Sequence, residues 1–517
     1  MTHDIAIKNV RIVDGTGAPA FYGDIGVTGD KITAIGVGLE GKRVFNADGL
    51  TATPGFVDIH NHSDWSITNE PEAKNYIYQG VTTMLGGNCG NSLYRYSKGT
   101  GVQPGDYDAF PRAMDKLEQL PMGNNLAILA GHGMIRAQVV GMDDVVLSEA
   151  DHAKMAEMMD LAMKHGAYGM SSGLIYDPGI FSTPDEINRL LKIVGKYGGF
   201  YAIHMRNESD LMVDAFLEGV EGVRGTGARL QICHLKGSGR QNFGLTATLL
   251  DLMTYYRRFG MDITCDAYPE IYCNTGLANC LPGWARARGH EGFCEMMKDA
   301  ELRAKLIYEL DHPAITWENI LRDCTAEDTI LTDSTVLPEI QGKTLAEVAA
   351  EMKVDPWEAT IQLCEKDWYI AVISGGVLEE ENLAIIQHPL TMICSDGSAT
   401  PQDIKFRPHP RSYRSFVKPI YDFVNQRKLL TLEQAVHKMS AMPAQKIGLF
   451  DRGILRPGMK ADIAIMDTET LRSKSTYEDP MHYAEGIETL LIGGGVTIEN
   501  GKFTGNMNGK LLRKGRD

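Results

Sequence analysis

What this chain lacks narrows it first. It has no uninterrupted apolar run approaching the about 20 residues that a membrane-spanning helix needs. Its nine cysteines are scattered through 517 residues and odd in number, which excludes a dense disulfide framework and fits reduced thiols. Basic charge is scarce: 51 Lys and Arg against 67 Asp and Glu leave a net charge of -16, the wrong sign for a nucleic-acid footprint. The one basic cluster, "KLLRKGRD" at the end, is short and reads as a solvated terminus. Low-complexity stretches and fixed-period repeats are missing too. The opening "MTHDIAIKNVRIVDG" has an acid at Asp4 and alternates like a strand, unlike the basic-then-apolar layout of a secretion leader. The expectation is a soluble cytoplasmic protein without membrane or nucleic-acid partners.

Hydrophobic residues at 43% and charged residues at 23% are those of a globular protein, and the length suits eight strand–helix units with insertions. Residues 4 to 36 alternate apolar with polar and turn at Asp-Gly and Gly-Asp, which predicts half-buried antiparallel strands. The pattern returns in "GMKADIAIMD" and "IETLLIGGGVTIENGKF", so the two ends are expected to build one small β-sandwich domain, 1–52 plus 453–517. Between them short apolar segments alternate with helical ones such as "SEADHAKMAEMMDLAMKHG", where Ser148 can cap the start and Gly166 the end.

Eight of those apolar segments stand out, at 53–64, 80–90, 124–133, 166–173, 198–206, 228–237, 261–269 and 389–397. Each ends in polar or ligand-capable residues: His60 and His62, Cys89, His132, Ser171 and Ser172, His204, His234, Asp266, Asp396. In a parallel (β/α)₈ barrel such tips converge on one mouth, where active sites of this fold lie. The reading is therefore an α/β protein with a TIM-like barrel over 53–452. The gap before the last strand is far longer than one crossover helix, which places an inserted subdomain at about 285–385, after the seventh strand.

His60 and His62 are two apart on a strand, so both face one side and can chelate one cation. Paired histidines also occur on wet loops, and a lone His204 or His234 also suits a hydrogen-bonded rim position. Together, four histidines, one cysteine and one aspartate at five strand tips make a mixed N/S/O set that suits zinc over magnesium or calcium. Cys89 sits in "LGGNCGNS", which reads as an open loop too glycine-rich to bury a thiol; its alternatives are a metal thiolate or an inert turn cysteine. Asp396 in "CSDG" reads as a working acid beside a metal site, or as an ordinary Asp-Gly turn.

Once these residues are placed, the chain resembles the N-acyl-D-amino-acid deacylase (D-aminoacylase) family of the amidohydrolase superfamily. The resemblance rests on "PGFVDIHNHSD", "GVTTMLGGNCG", "GHGMIR", "GMSSGLIYDPG", "YAIHMRNES", "CHLKGSG", "DAYPEIYCNTGL", "SDG", "HPRSYRSF" and "KMSAMPAQKIGLFDRGILRPGMKADIAIMD". It implies a tightly held zinc on Cys89, His204 and His234, and a weaker second metal on His60, His62, shared Cys89 and Asp396. It further implies Asp396 as general base and acid, and Lys236, Arg411, Tyr176 and Tyr268 as substrate contacts. His132 and Arg136 match the family motif as supports. The segment "SATPQDIKFRPH" between Asp396 and Arg411 is longer than the family's usual linker. The implied activity is zinc-dependent hydrolysis of N-acyl-D-amino acids to a carboxylate and a free D-amino acid. The residues leave open a cyclic amide, ureide or dipeptide as substrate, a non-catalytic scaffold, and a homo-oligomer.

Overall fold

A computed structural model describes residues 2–93, 104–312, 317–334 and 336–516. Among them, eight short parallel strands form the barrel: β1 (Phe56–Asp58), β2 (Val81–Gly86), β3 (Asn125–Ile128, continued by Ala130–Gly131), β4 (Gly169–Gly173), β5 (Phe200–His204), β6 (Arg229–Ile232), β7 (Ile263–Ala267) and β8 (Thr391–Ile393). Each lies inside one of the eight segments read from the sequence. Ladders join β1 to β2 to β3, and run from Ala130–Gly131 through β4, β5, β6 and β7 to β8. The ring closes at its C-terminal rim, where Asn61 pairs with Gly397, the His62 N–H donates to Gly397 O at 2.7 Å and the Asp396 N–H donates to His60 O at 2.9 Å. Closing the barrel thus brings His60, His62 and Asp396 together.

The period of two decides which side chains enter the barrel. In β5, Phe200 and Ala202 face an inner apolar cluster with Val57, Leu85 and Met392, while Tyr201 and Ile203 face the outer layer. His204 continues the inward phase. In β6, Leu230 and Ile232 face outward and Cys233 inward, so the next residue, His234, reaches the mouth only because its backbone turns, at φ +32°.

Outer helices have conventional starts and stops. Helix Glu149–Lys164 begins with a reciprocal cap between Ser148 and Asp151, and Gly166 follows its end at φ +96°. Helix Pro184–Lys196 is capped by Thr183 and buries Ile187, Leu190, Leu191 and Val194 against the barrel, one stripe at helical spacing.

A nine-stranded sheet joins both ends of the described chain, with Ile463–Met466 beside Thr51–Pro54, then Thr2–Ile12, Phe21–Thr28 and Lys31–Gly36. Ile7, Val10, Ile25, Ile463 and Leu491 pack in its core. Between β7 and β8 lies an antiparallel sheet of Cys273–Gly276, Thr329–Asp333 and Ala371–Ser374, with helices around an apolar core that includes Phe293, Leu331 and Val372. The basic tail is not solvated, contrary to the sequence reading. Lys510 and Leu512 bond to Leu126 at 2.9 and 2.8 Å, and buried Arg513 reaches Asp115 and Glu118 at 2.8 and 2.7 Å, because Leu511 and Leu512 bury beside β3 and carry the guanidinium in with them. No helix among the described residues is long and apolar enough to cross a membrane.

Candidate active site

After β2 the chain runs Gly87-Asn88-Cys89-Gly90. The expected open loop is instead folded into the barrel mouth, leaving Cys89 only 5% exposed. Its glycines permit close approach: a Cβ on Gly87 would lie 2.3 Å from Leu129 O, and one on Gly90 2.8 Å from Gly173 N. Ser171 accepts from the Gly90 N–H at 3.0 Å, and the Asn88 amide donates to Leu85 O at 2.8 Å. Cys89, His234 and Asp396 all have left-handed backbones, with φ +53°, +32° and +50°. Such conformations are uncommon outside glycine and persist where surrounding structure over-determines them.

Three imidazole nitrogens surround one sulfur. Cys89 Sγ lies 3.4 Å from His60 Nε2, 3.6 Å from His204 Nδ1 and 3.5 Å from His234 Nε2. Asp396 Oδ1 lies 3.0 Å from His62 Nε2 and 3.3 Å from His60 Nε2. Two donor sets, Cys89–His204–His234 and His60–His62–Cys89–Asp396, each have their ligand atoms within 4.8 Å of one another and share the sulfur. A tetrahedral zinc with ordinary bond lengths sets nitrogen and sulfur about 3.5 Å apart, so the donors already stand at ligand spacing. Buried His204 Nε2 and His60 Nδ1, the ring nitrogens that do not face Cys89, make no hydrogen bond, with carboxylate oxygens of Glu208 and Asp266 at 3.8 and 3.3 Å.

The charges tell the same story. Burial pushes the Cys89 thiol up, but His60, His204 and His234 outweigh it and hold it well below its usual value. Asp396 likewise resists burial because Arg411, His60 and His62 stabilise its anion, holding it well below the usual carboxylate range. His62 is pulled down by burial yet raised to about 9 by Asp396 and Cys89. The site thus favours the anionic forms of the Cys89 thiol and the Asp396 carboxyl, the forms in which these groups ligate a cation.

The sequence-predicted substrate residues gather at the same mouth. Arg411 Nη1 is 2.7 Å from Asp396 Oδ2, with the guanidinium 5.0 Å over the Tyr268 ring. The long 398–409 segment does not displace it: His409 accepts from the Arg411 N–H at 3.1 Å and donates to Tyr272 O at 3.0 Å, pinning the turn. Lys236 Nζ lies 2.6 Å from Glu208 Oε2, and Tyr176 meets His204 edge-on at 4.9 Å. His132 and Arg136 share a different partner, both reaching Glu186 at 2.6 Å.

Two carboxylates around the donors carry more than the sequence indicated. Asp266, noted there only as a strand tip, accepts from the His234 N–H at 2.7 Å and lies 3.3 Å from His60 Nδ1. Glu208 was missed altogether; it follows His204 by four residues, beyond the strand, where no periodicity predicts direction. A third partner, Asp58, accepts from the Ser395 N–H at 3.1 Å and from Asn61 Nδ2 at 2.9 Å, locking the rims of β1 and β8.

A parallel barrel with thiolate, imidazole and carboxylate donors converging at its C-terminal mouth defines a metal-dependent amidohydrolase. The chain belongs to the amidohydrolase family, whose profile matches residues 43–205 and 346–497. It is 32% identical to an N-acyl-D-glutamate deacylase of Alcaligenes xylosoxydans xylosoxydans, over 95% of this chain and 93% of that one. An N-acyl-D-aspartate deacylase of the same organism is 29% identical over 99% of this chain and 95% of its own length. The crystal structure of N-acyl-D-glutamate deacylase from Bordetella bronchiseptica, complexed with zinc and a phosphonate mimic of the tetrahedral intermediate, superposes with TM-score 0.84 at 28% identity, covering 99% of this chain and all of that one.

Proposed function

We propose that this protein is a zinc-dependent hydrolase that cleaves the amide bond of N-acyl-D-amino acids to a carboxylate and a free D-amino acid. The observation that carries the reading is the juxtaposition, at one barrel mouth, of the Cys89-centred donor set with Asp396, Lys236 and Arg411. The D configuration and the acyl-amino-acid class draw support from the relatives, which act on N-acyl-D-glutamate and N-acyl-D-aspartate.

Cys89, His204 and His234, all buried, would hold the tighter zinc; His60, His62, Cys89 and Asp396 would hold a weaker second ion, since His62 is partly open to solvent. Bound there, zinc lowers the pKa of a coordinated water and polarises the substrate carbonyl. The residues do the rest. Asp396 takes the proton of the attacking water and delivers it to the amide nitrogen, so the amine leaves neutral. Arg411 and Lys236 hold the α-carboxylate, and that carboxylate competes with Asp396 for Arg411. Burial keeps Tyr176 and Tyr268 protonated well above neutral pH, so both phenols remain donors to the substrate.

We also read the chain as one barrel, 53–452, carrying an insertion at about 285–385, with a small β domain from 1–52 and 453–517. The shared terminal sheet and the separate apolar core between β7 and β8 support that division. The free state of all nine cysteines supports a reducing, cytoplasmic setting. The test is amine release from a panel of N-acetyl D- and L-amino acids, cyclic amides, ureides and dipeptides. The expected result is turnover of the D-acyl compounds; turnover of only L forms or cyclic compounds overturns the reading.

A further inference from the structure

We propose that Glu208 is a positioning residue that couples the metal centre to the substrate-carboxylate site, one of its oxygens on the imidazole of His234 and the other on the ammonium of Lys236. The inference rests on the roles given above to His234 and Lys236. Glu208 is 2% exposed; its Oε1 lies 3.1 Å from His234 Nδ1, and its Oε2 lies 2.6 Å from Lys236 Nζ and 3.8 Å from His204 Nε2.

An ionised carboxylate only accepts, so Nδ1 of His234 must carry the proton in that contact. Nε2, 3.5 Å from Cys89 Sγ, is then left with its lone pair directed at the donor cluster. Lys236 competes for the same atom: its Nζ is 3.0 Å from His234 Nδ1. An ammonium has only protons to offer. Without Glu208 it would donate to Nδ1, drive the imidazole proton onto Nε2 and leave the tautomer that cannot bind metal. Glu208 prevents this twice, by accepting from Nδ1 and by engaging the ammonium. The same engagement aims Lys236, so one carboxylate sets both the tautomer of a ligand and the direction of a substrate contact.

The carboxylate is itself held in place. The Glu208 N–H donates to Glu318 Oε2 at 2.6 Å, and Glu208 O accepts from the Ser238 N–H at 2.8 Å. Glu318 comes from the segment between β7 and β8, which ties that insertion to the geometry of the mouth.

The test uses the full-length protein with Glu208→Gln and Glu208→Ala. Zinc affinity is read by competition with a chromophoric chelator, and kcat and KM on an N-acetyl-D-amino acid at saturating zinc. Glutamine keeps size and shape but loses the charge, so a packing role would be rescued by it. The expected result for Glu208→Gln is zinc affinity lower by about 10-fold and KM higher by about 10-fold, as for one weakened charge-assisted hydrogen bond, with kcat changed less. Glu208→Ala should lose more on both readouts; if it fails to fold, the isosteric variant still decides. Wild-type zinc affinity in Glu208→Gln, or a wild-type KM at saturating zinc, overturns the proposal. The zinc competition needs no substrate, so a native enzyme inactive on acyl-D-amino acids would remove the proposed substrate while the His234 half of the coupling is still decided.

Discussion

A buried thiolate and a buried carboxylate need positive charge near them, and here the choice is between protons on His60 and His62 and a metal ion that displaces them. Cys89→Ala should therefore remove the donor shared by both sets. Metal analysis of the purified variant should find zinc largely lost, and full occupancy would end the assignment of Cys89. Asp396→Asn keeps the shape but cannot accept a proton. Turnover should fall by roughly 10²- to 10⁴-fold, the range for lost general acid–base catalysis, with zinc still bound at Cys89, His204 and His234. His409 gives a residue-scale pH prediction. Burial, then Arg411, lowers it to about 3, against about 6.5 for an unfolded histidine. The unfolded chain binds this proton below about 6.5 and the folded chain does not until about 3, so stability falls as pH drops through that window, by at most about 1.4 kcal/mol per pH unit. Denaturant titrations of the native protein and His409→Gln across that range should show a shallower slope in the variant; parallel slopes would refute the assignment. At this scale the sequence spoke clearly wherever a residue type had few other uses at a strand tip, as with Cys89 or His204. It was silent on Glu208, an abundant acidic residue whose meaning lies wholly in what surrounds it in space.

Among the elements, the barrel strands were legible because alternation of inward and outward residues is a local property, visible in "FYAIH" and "RLQIC" alike. The loops were not. "GGNCG" looks open as a string of small polar residues, yet those glycines let the backbone press against β3 and β4 and bury the sulfur. The same lesson applies to the tail, where Arg513 is charged and terminal but buried, because its carboxylate partners lie near 115 and 118 in the chain. Gly87→Ala tests the loop directly. A Cβ there meets Leu129 O at 2.3 Å on a residue at φ +81°, so the loop must shift. The expected cost is roughly 1–3 kcal/mol by chemical denaturation, accompanied by weaker zinc binding as Cys89 is carried away from His60, His204 and His234. Native stability together with native zinc affinity would show that the close approach is not required.

At the level of the whole molecule, the site is also a fastener. Its candidate ligands come from the tips of β1, β2, β5, β6 and β8, segments separated by up to some hundreds of residues, and the rim contacts of Asn61, His62 and Asp396 close the ring beside them. A dication bound by these donors in the folded state has no preformed site in the unfolded chain, so its binding free energy adds to folding stability. At free zinc 100 times the dissociation constant the gain is about 2.7 kcal/mol, enough to move the thermal midpoint by a few degrees, and it grows with the logarithm of zinc concentration. The expected outcome is a midpoint that falls on treatment with a chelator and climbs again on zinc titration. Cys89→Ala should flatten that dependence, because the tighter set loses its only sulfur and the weaker set loses the same atom. Should the native protein melt at one temperature with and without chelator, these donors would not be binding zinc across the strands, and the catalytic reading would lose the ion on which it depends.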